Sequence, residues 1–112
     1  MKNHDLDVPM GLSKHGNKAA QVILDVLRRN NATYTGGCKA FYTPEEWKTR
    51  GEKYGLKSEL VVVHDGGDLA PHFNFDYEEY NHCEDMNFAL EDNGLYHEPC
   101  TSWYTAIYNI PN

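Results

Sequence analysis

Ala19, Val22, Ile23, Val26 and Leu27 fall at i, i+3, i+4, i+7 and i+8, the spacing of one face of an amphipathic helix. Asn17 is placed to cap that helix, Arg28 and Arg29 suit the negative end of its dipole, and Asn30-Asn31 stops it. Ahead of it, Pro9, Gly11 and Gly16 interrupt any periodicity. Residues 1–16 therefore read as a loose leader and 17–112 as one domain, within the usual size range. Thr33 to Thr35 and Lys39 to Tyr42 predict two short strands separated by Gly36-Gly37. Thr43-Pro44-Glu45-Glu46 predicts a second helix: Thr43 caps, Pro44 occupies the first turn and Glu46 completes a capping box. Gly51 weakens this helix and Gly55 is its expected end.

Leu60 to His64 is apolar on both faces, the pattern of a strand inside a sheet. Asp65-Gly66-Gly67-Asp68 then reads as a hairpin turn. Leu69 to Phe75 alternates like a returning strand, and Pro71 confines that strand to an edge. Asp76 to Asn93 predicts a third helix, capped by Asp76 and closed by Gly94, with Tyr80, Cys83, Met86, Ala89 and Leu90 on its buried stripe. Thr101 to Ile110 predicts a last strand, apolar on both faces and hence interior. The expected fold class is α+β: a small mixed, mostly antiparallel sheet of about three to five strands, with three helices packed on one face.

Charge changes this picture more than composition does. Residues 1–57 carry all ten Lys and Arg against six acids, a balance of +4. Residues 58–112 carry eleven acids and neither Lys nor Arg, a balance of −11. Like charges repel, so so one-sided a segment reads either as a solubilising surface or as one built to meet a positive partner. Direct nucleic-acid binding by the acidic half is disfavoured, because phosphate neutralisation needs Lys and Arg. Glu91 and Asp92 lie at the helix end where the dipole disfavours anions, so helix stability does not account for them. No apolar run approaches the ~20 residues that span a bilayer, and Met1 to Met10 lacks an apolar signal core. The expectation is a cytoplasmic protein without membrane association. Cys38, Cys83 and Cys100 are odd in number and widely spaced, which argues for free thiols rather than a disulfide framework.

Three groups of residues invite chemistry. Asp76, Glu78, Glu79, Glu84, Asp85, Glu91, Asp92 and Glu98, interleaved with Tyr77 and Tyr96, form a candidate surface for a basic protein. Tyr stacks on Arg while carboxylates pair with it. Tyr80, Trp103, Tyr104 and Tyr108 extend the aromatic group, either as core or as the walls of a small-ligand pocket. His64, Asp65, Asp68 and His72 flank the predicted turn and have the donor types of a divalent-metal site, with two Asp that would repel across a hairpin. His82, Cys83, His97 and Cys100 offer a thiol beside an imidazole but no CxxC or HxxxH spacing. There is no Walker, GxGxxG, GxSxG or HExxH motif.

The stretches Leu60-Val61-Val62-Val63-His64-Asp65-Gly66-Gly67-Asp68-Leu69-Ala70 and Cys100-Thr101-Ser102-Trp103-Tyr104-Thr105-Ala106-Ile107-Tyr108 resemble small proteins of tailed bacteriophages. The resemblance implies no activity and carries over no functional residue. It favours a host-takeover or anti-defence protein acting in the host cytoplasm. The expected function is thus a non-enzymatic acidic interaction protein that binds a basic, nucleic-acid-binding protein by imitating phosphate charge, with no cofactor. The alternatives are a divalent-metal site or metal-dependent enzyme at His64, Asp65, Asp68 and His72, and a small-ligand binder with an aromatic pocket. Association between copies, basic half to acidic half, is a further expectation.

Overall fold

The computed structural model describes residues 4–111. It is α+β, with one four-stranded sheet in the order β1-β2-β4-β3. The strands are β1 (Phe41–Tyr42), β2 (Leu60–Val63), β3 (Leu95–Pro99) and β4 (Tyr104–Asn109), and every pairing is antiparallel. The helices are α1 (Lys14–Arg29), α2 (Pro44–Thr49), α3 (Ala70–Phe73) and α4 (Tyr80–Asp92), with short 3-10 turns at His4–Leu6 and Phe75–Tyr77. β2 and β4 are interior, as their two-sided apolar pattern predicts. None of the helices among the described residues is long and apolar enough to cross a membrane.

Strand alternation divides the core in two. Leu60 and Val62 of β2 join Phe41, Leu95 and Ile107 on one face, beneath Ile23 and Leu27 of α1, Phe73 of α3 and Met86 and Leu90 of α4. Val61, Val63 and Tyr104 point to the other face, where they pack against Trp47 of α2. The helices therefore cover both faces, not the single face expected.

α1 begins at Lys14 with Ser13 as its cap, its hydroxyl accepting from the Gly16 amide at 3.0 Å, and not at Asn17. Gly16 looks like a breaker in sequence but serves a close contact, since a Cβ there would lie 2.3 Å from the Glu59 carbonyl oxygen. Within the expected leader, Leu6, Val8 and Leu12 pack against the core and the Ala40 amide donates to the Asp5 carbonyl. Residues 1–3 of that stretch lie outside the described residues. α2 carries the capping box its sequence predicts but stops at Thr49, where Gly51 turns left-handed at φ +82°, well short of Gly55.

The largest difference lies between residues 64 and 80. No hairpin forms at Gly66-Gly67, and Leu69 to Phe75 is not an edge strand. Instead α3 occupies residues 70–73, with Pro71 in its first turn, where a missing N–H costs nothing. Leu69, Ala70 and Phe73 turn inward at i, i+1 and i+4. Thr33 to Thr35 forms no strand either. The Asp68 amide donates to the Tyr34 carbonyl at 2.7 Å, and the Asp68 carboxylate accepts from the Tyr34 amide at 3.1 Å, so the two loops cross in contact. Gly67 (φ +67°) is required there, because a Cβ would stand 2.5 Å from the Tyr34 carbonyl oxygen. Gly67→Ala is expected to cost about 2 kcal/mol, from positive φ and the displaced loop together. Gly37→Ala, with comparable φ (+85°) and open space around the site, should cost only about 1 kcal/mol. Equal urea midpoints for the two variants would count against the loop contact.

α4 starts at Tyr80 rather than after Asp76, because Glu78 at φ +59° breaks the chain direction just before it. Asp76 instead donates its amide to the Asn74 side chain in the 3-10 turn. Cys83, Met86 and Leu90 are buried as the stripe predicts, whereas Tyr80 faces solvent. β3 is a strand the pattern does not announce: it is an edge strand, and Tyr96, Glu98 and Pro99 are exposed.

Candidate functional site

The helical phase of α4 sorts the acidic residues. Tyr80, Glu84, Phe88 and Glu91 lie at i, i+4, i+8 and i+11 and are all exposed, with Asp92 beside them. Phe88 is 61% exposed, although it is one of the largest apolar side chains in the protein. Every residue from Phe75 to Tyr80 is exposed as well, which brings Asp76, Tyr77, Glu78 and Glu79 to the N-terminal end of the same helix. Phe75 and Tyr80 touch there, ring centroids 6.1 Å apart. The result is an outward surface in which carboxylates alternate with aromatic rings.

Asp85 is turned the other way. It pairs with Arg29 of α1 and accepts from the Asn30 side-chain amide at 3.0 Å. Burial works to raise its pKa, but the Asn30 and Arg29 hydrogen bonds outweigh this and hold the carboxyl below its ordinary range. The ion pairs among the described residues are Arg29–Asp85, Lys39–Glu46 and Arg50–Glu52. Asp76, Glu78, Glu79, Glu84, Glu91, Asp92 and Glu98 thus have no Lys or Arg partner among the described residues. Tyr96 and Glu98 do not join the α4 surface. They point to the opposite face of the sheet, where Tyr96 stacks on Tyr108 at 5.4 Å.

Without the hairpin, His64, Asp65, Asp68 and His72 do not converge on a turn. His64 is 2% exposed, lies against Phe73 with parallel rings 5.2 Å apart, and shares a 2.9 Å hydrogen bond with the Thr105 hydroxyl. His72 sits on α3, its Nδ1 2.9 Å from the Asp68 carbonyl and its Nε2 3.2 Å from the Asn30 amide nitrogen. That pairing places the proton on Nδ1, with Nε2 accepting. The Asp68 carboxylate is engaged by the Tyr34 amide, and Asp65 is exposed. Among the described residues, no group of three or more His, Cys, Asp or Glu side chains is arranged to hold a metal ion.

No thiol–imidazole pair forms from the cysteines singled out in sequence. Cys83 donates to the Pro71 carbonyl at 3.1 Å, and burial pushes its thiol pKa up. Cys100 packs on the Trp47 side of the sheet while His97 lies on the other. A raised thiol pKa is the reverse of what a nucleophile needs.

The aromatic group divides three ways. Tyr77 and Tyr80 face solvent, Tyr96 stacks on Tyr108, and Trp103 and Tyr104 pack against Trp47 at 5.7 and 4.9 Å. Sequence reasoning missed Trp47, and with it Tyr42, Lys39 and Arg50, which gather at the same pole. The only advance signal was a tryptophan in a six-residue helix too short to stand without an anchor. Comparison with protein-family models, curated proteins and solved structures finds no match to the chain.

Proposed function

We propose that the chain is an interaction protein that docks a basic protein partner on the surface formed by residues 75–80 and the outward side of α4. The observation that carries this reading is the alternation of exposed rings with carboxylates that have no Lys or Arg partner among the described residues, along one helix: Tyr80, Glu84, Phe88 and Glu91. Aromatic side chains in water next to acids suit an arginine-bearing surface, whose guanidinium groups stack on the rings and pair with the carboxylates. Glu91 and Asp92 oppose the dipole of their own helix, a local cost that a partner's cation would offset. The resemblance to tailed-phage proteins would make the partner a nucleic-acid-binding protein of the host, met through carboxylates standing in for phosphates.

Affinity capture from host lysate at about 50 and about 500 mM salt tests this, since ions screen exposed charge pairs within a few ångströms at the higher concentration. A basic protein retained at low salt should be lost at high salt. It should also bind roughly 10–100-fold more weakly to the variant combining Glu84→Gln, Phe88→Ala and Glu91→Gln. That variant should melt within a few degrees of the wild type, because all three side chains are exposed. A partner indifferent to salt, or held equally by the variant, would remove the basis for the reading.

A further inference from the structure

On the sheet face opposite the α1 and α4 layer, Lys39, Tyr42, Arg50, Asp65 and Trp103 line a cavity of about 250 Å³. We infer that it is a binding site for a nucleoside monophosphate: a planar base laid against Trp103, with the phosphate held by Arg50 and Lys39 beside Tyr42. The site is separate from the proposed docking surface, and neither reading depends on the other.

The cations are the first argument. Although the protein is acidic overall, two cations stand over one aromatic ring. The Lys39 ammonium lies 4.5 Å and the Arg50 guanidinium carbon 5.4 Å from the centroid of Tyr42. Arg50 also lies 4.6 Å from the Trp47 ring, which floors this pole. The acids beside them leave capacity unused. Glu46 divides its carboxylate between Lys39 at 3.2 Å and the Thr43 amide at 3.0 Å. Glu52 is 3.6 Å from Arg50, beyond the length of a strong charge-assisted bond. Both pairs are partly solvent-exposed, which weakens them. A phosphate meeting the guanidinium fork edge-on would compete with them, and Lys39 would add a point charge.

The rings and the volume supply the rest. Bases stack on Trp and Tyr whatever their sequence identity. Trp103 lines the cavity and carries no cation over its ring among the described residues, and the Asp65 carboxylate, which also lines it, can accept from an exocyclic amine or a sugar hydroxyl. A volume of about 250 Å³ lies just below the usual range of ligand pockets. It suits one nucleotide with one side left open and is too small for a dinucleotide.

Both tryptophans of the chain, Trp47 and Trp103, lie at this pole, so intrinsic fluorescence reports on the site directly. The full chain is titrated with AMP, GMP, CMP and UMP, and with adenosine and inorganic phosphate alone, with calorimetry alongside. At least one monophosphate should give saturable quenching, and its unphosphorylated nucleoside should bind at least about tenfold more weakly. Arg50→Gln, with its fold checked by circular dichroism, should weaken binding by about tenfold or more, and Lys53→Gln, which is exposed and does not line the cavity, by less than about twofold. The inference is overturned by any of three results: no saturable change with any monophosphate up to about 5 mM, a nucleoside that binds as well as its nucleotide, or a folded Arg50→Gln protein that binds like wild type.

Discussion

Trp47→Ala is expected to lower the unfolding free energy by roughly 3–5 kcal/mol, the cost of emptying a large buried aromatic site. Trp47 is fully buried and meets Tyr42 at 5.0 Å, Tyr104 edge-on at 4.9 Å and Trp103 at 5.7 Å, with Val61 and Val63 beneath. It is also the one buried residue of α2, a helix of six residues. A helix of that length has no stability of its own, so the cavity and the loss of α2 should occur together. Domains of this size hold only about 5–15 kcal/mol in total, so the variant should be close to unfolded at 37 °C. The indole N–H finds no hydrogen-bond partner among the described residues, which already costs about 1–3 kcal/mol. Trp47→Phe removes that donor and keeps most of the ring contacts, so it should lose far less than Trp47→Ala. Urea midpoints with unchanged slopes provide the measurement. A Trp47→Ala loss under about 1 kcal/mol would mean that α2 is not anchored through this side chain.

The features legible in the sequence were those decided by neighbours along the chain. The Thr43–Glu46 capping box, the α1 stripe, and the two-sided apolar runs of β2 and β4 all depend on spacings of a few residues. The misread stretch, 64–80, is decided at long range. Gly66-Gly67 resembles a hairpin turn, yet Gly67 is there because the chain around Tyr34 crosses it at contact distance, some thirty residues away in sequence. Alternation from Leu69 to Phe75 fits a strand as well as it fits a short helix followed by an extended residue, and what decides between them is that Ala70 and His72 are buried together with Leu69 and Phe73 while Phe75 is exposed. β3 was silent because Leu95 and His97 alone point inward. The acidic surface was half legible: the charge bias was plain, but which acids share a side depends on helical phase. Starting α4 at Asp76 hid the opposition of Glu84 and Asp85 and left Tyr96 and Glu98 without a strand to carry them to the other face. The pole around Trp47 was not legible, because it needs the register Val63↔Tyr104 to bring Trp103 across to α2.

Stability should fall by about 3 kcal/mol as the pH drops from 6.5 to 4, through His64 alone. Burial is the main cause, and it pulls the His64 pKa from 6.5 down to about 4, with the nearby His97 acting in the same direction. Its own backbone carbonyl and the charge of Asp65 favour the proton but do not prevail. The neighbours on the other sides, Phe73 in the ring stack and the Thr105 hydroxyl at Nε2, offer no compensating charge, and Nδ1 has no hydrogen-bond partner among the described residues. The native state therefore keeps the ring neutral where the unfolded chain takes up a proton. This contribution is fully present above pH 6.5, declines by about 1.4 kcal/mol per pH unit below it, and is gone near pH 4. Burial lowers the His72 and His97 pKa values too, so their contributions are lost on acidification in the same sense. Asp85 and Glu46, held below the ordinary carboxylate range, withdraw their contributions only as the pH falls further. His64→Gln removes the titration while leaving a donor for Thr105. The stability difference between wild type and variant should then shrink by about 3 kcal/mol across this window, with the carboxylates and the other histidines cancelling between the two proteins. Parallel curves from pH 7 to 4 would show that the His64 ring reaches water and takes up its proton in the native state.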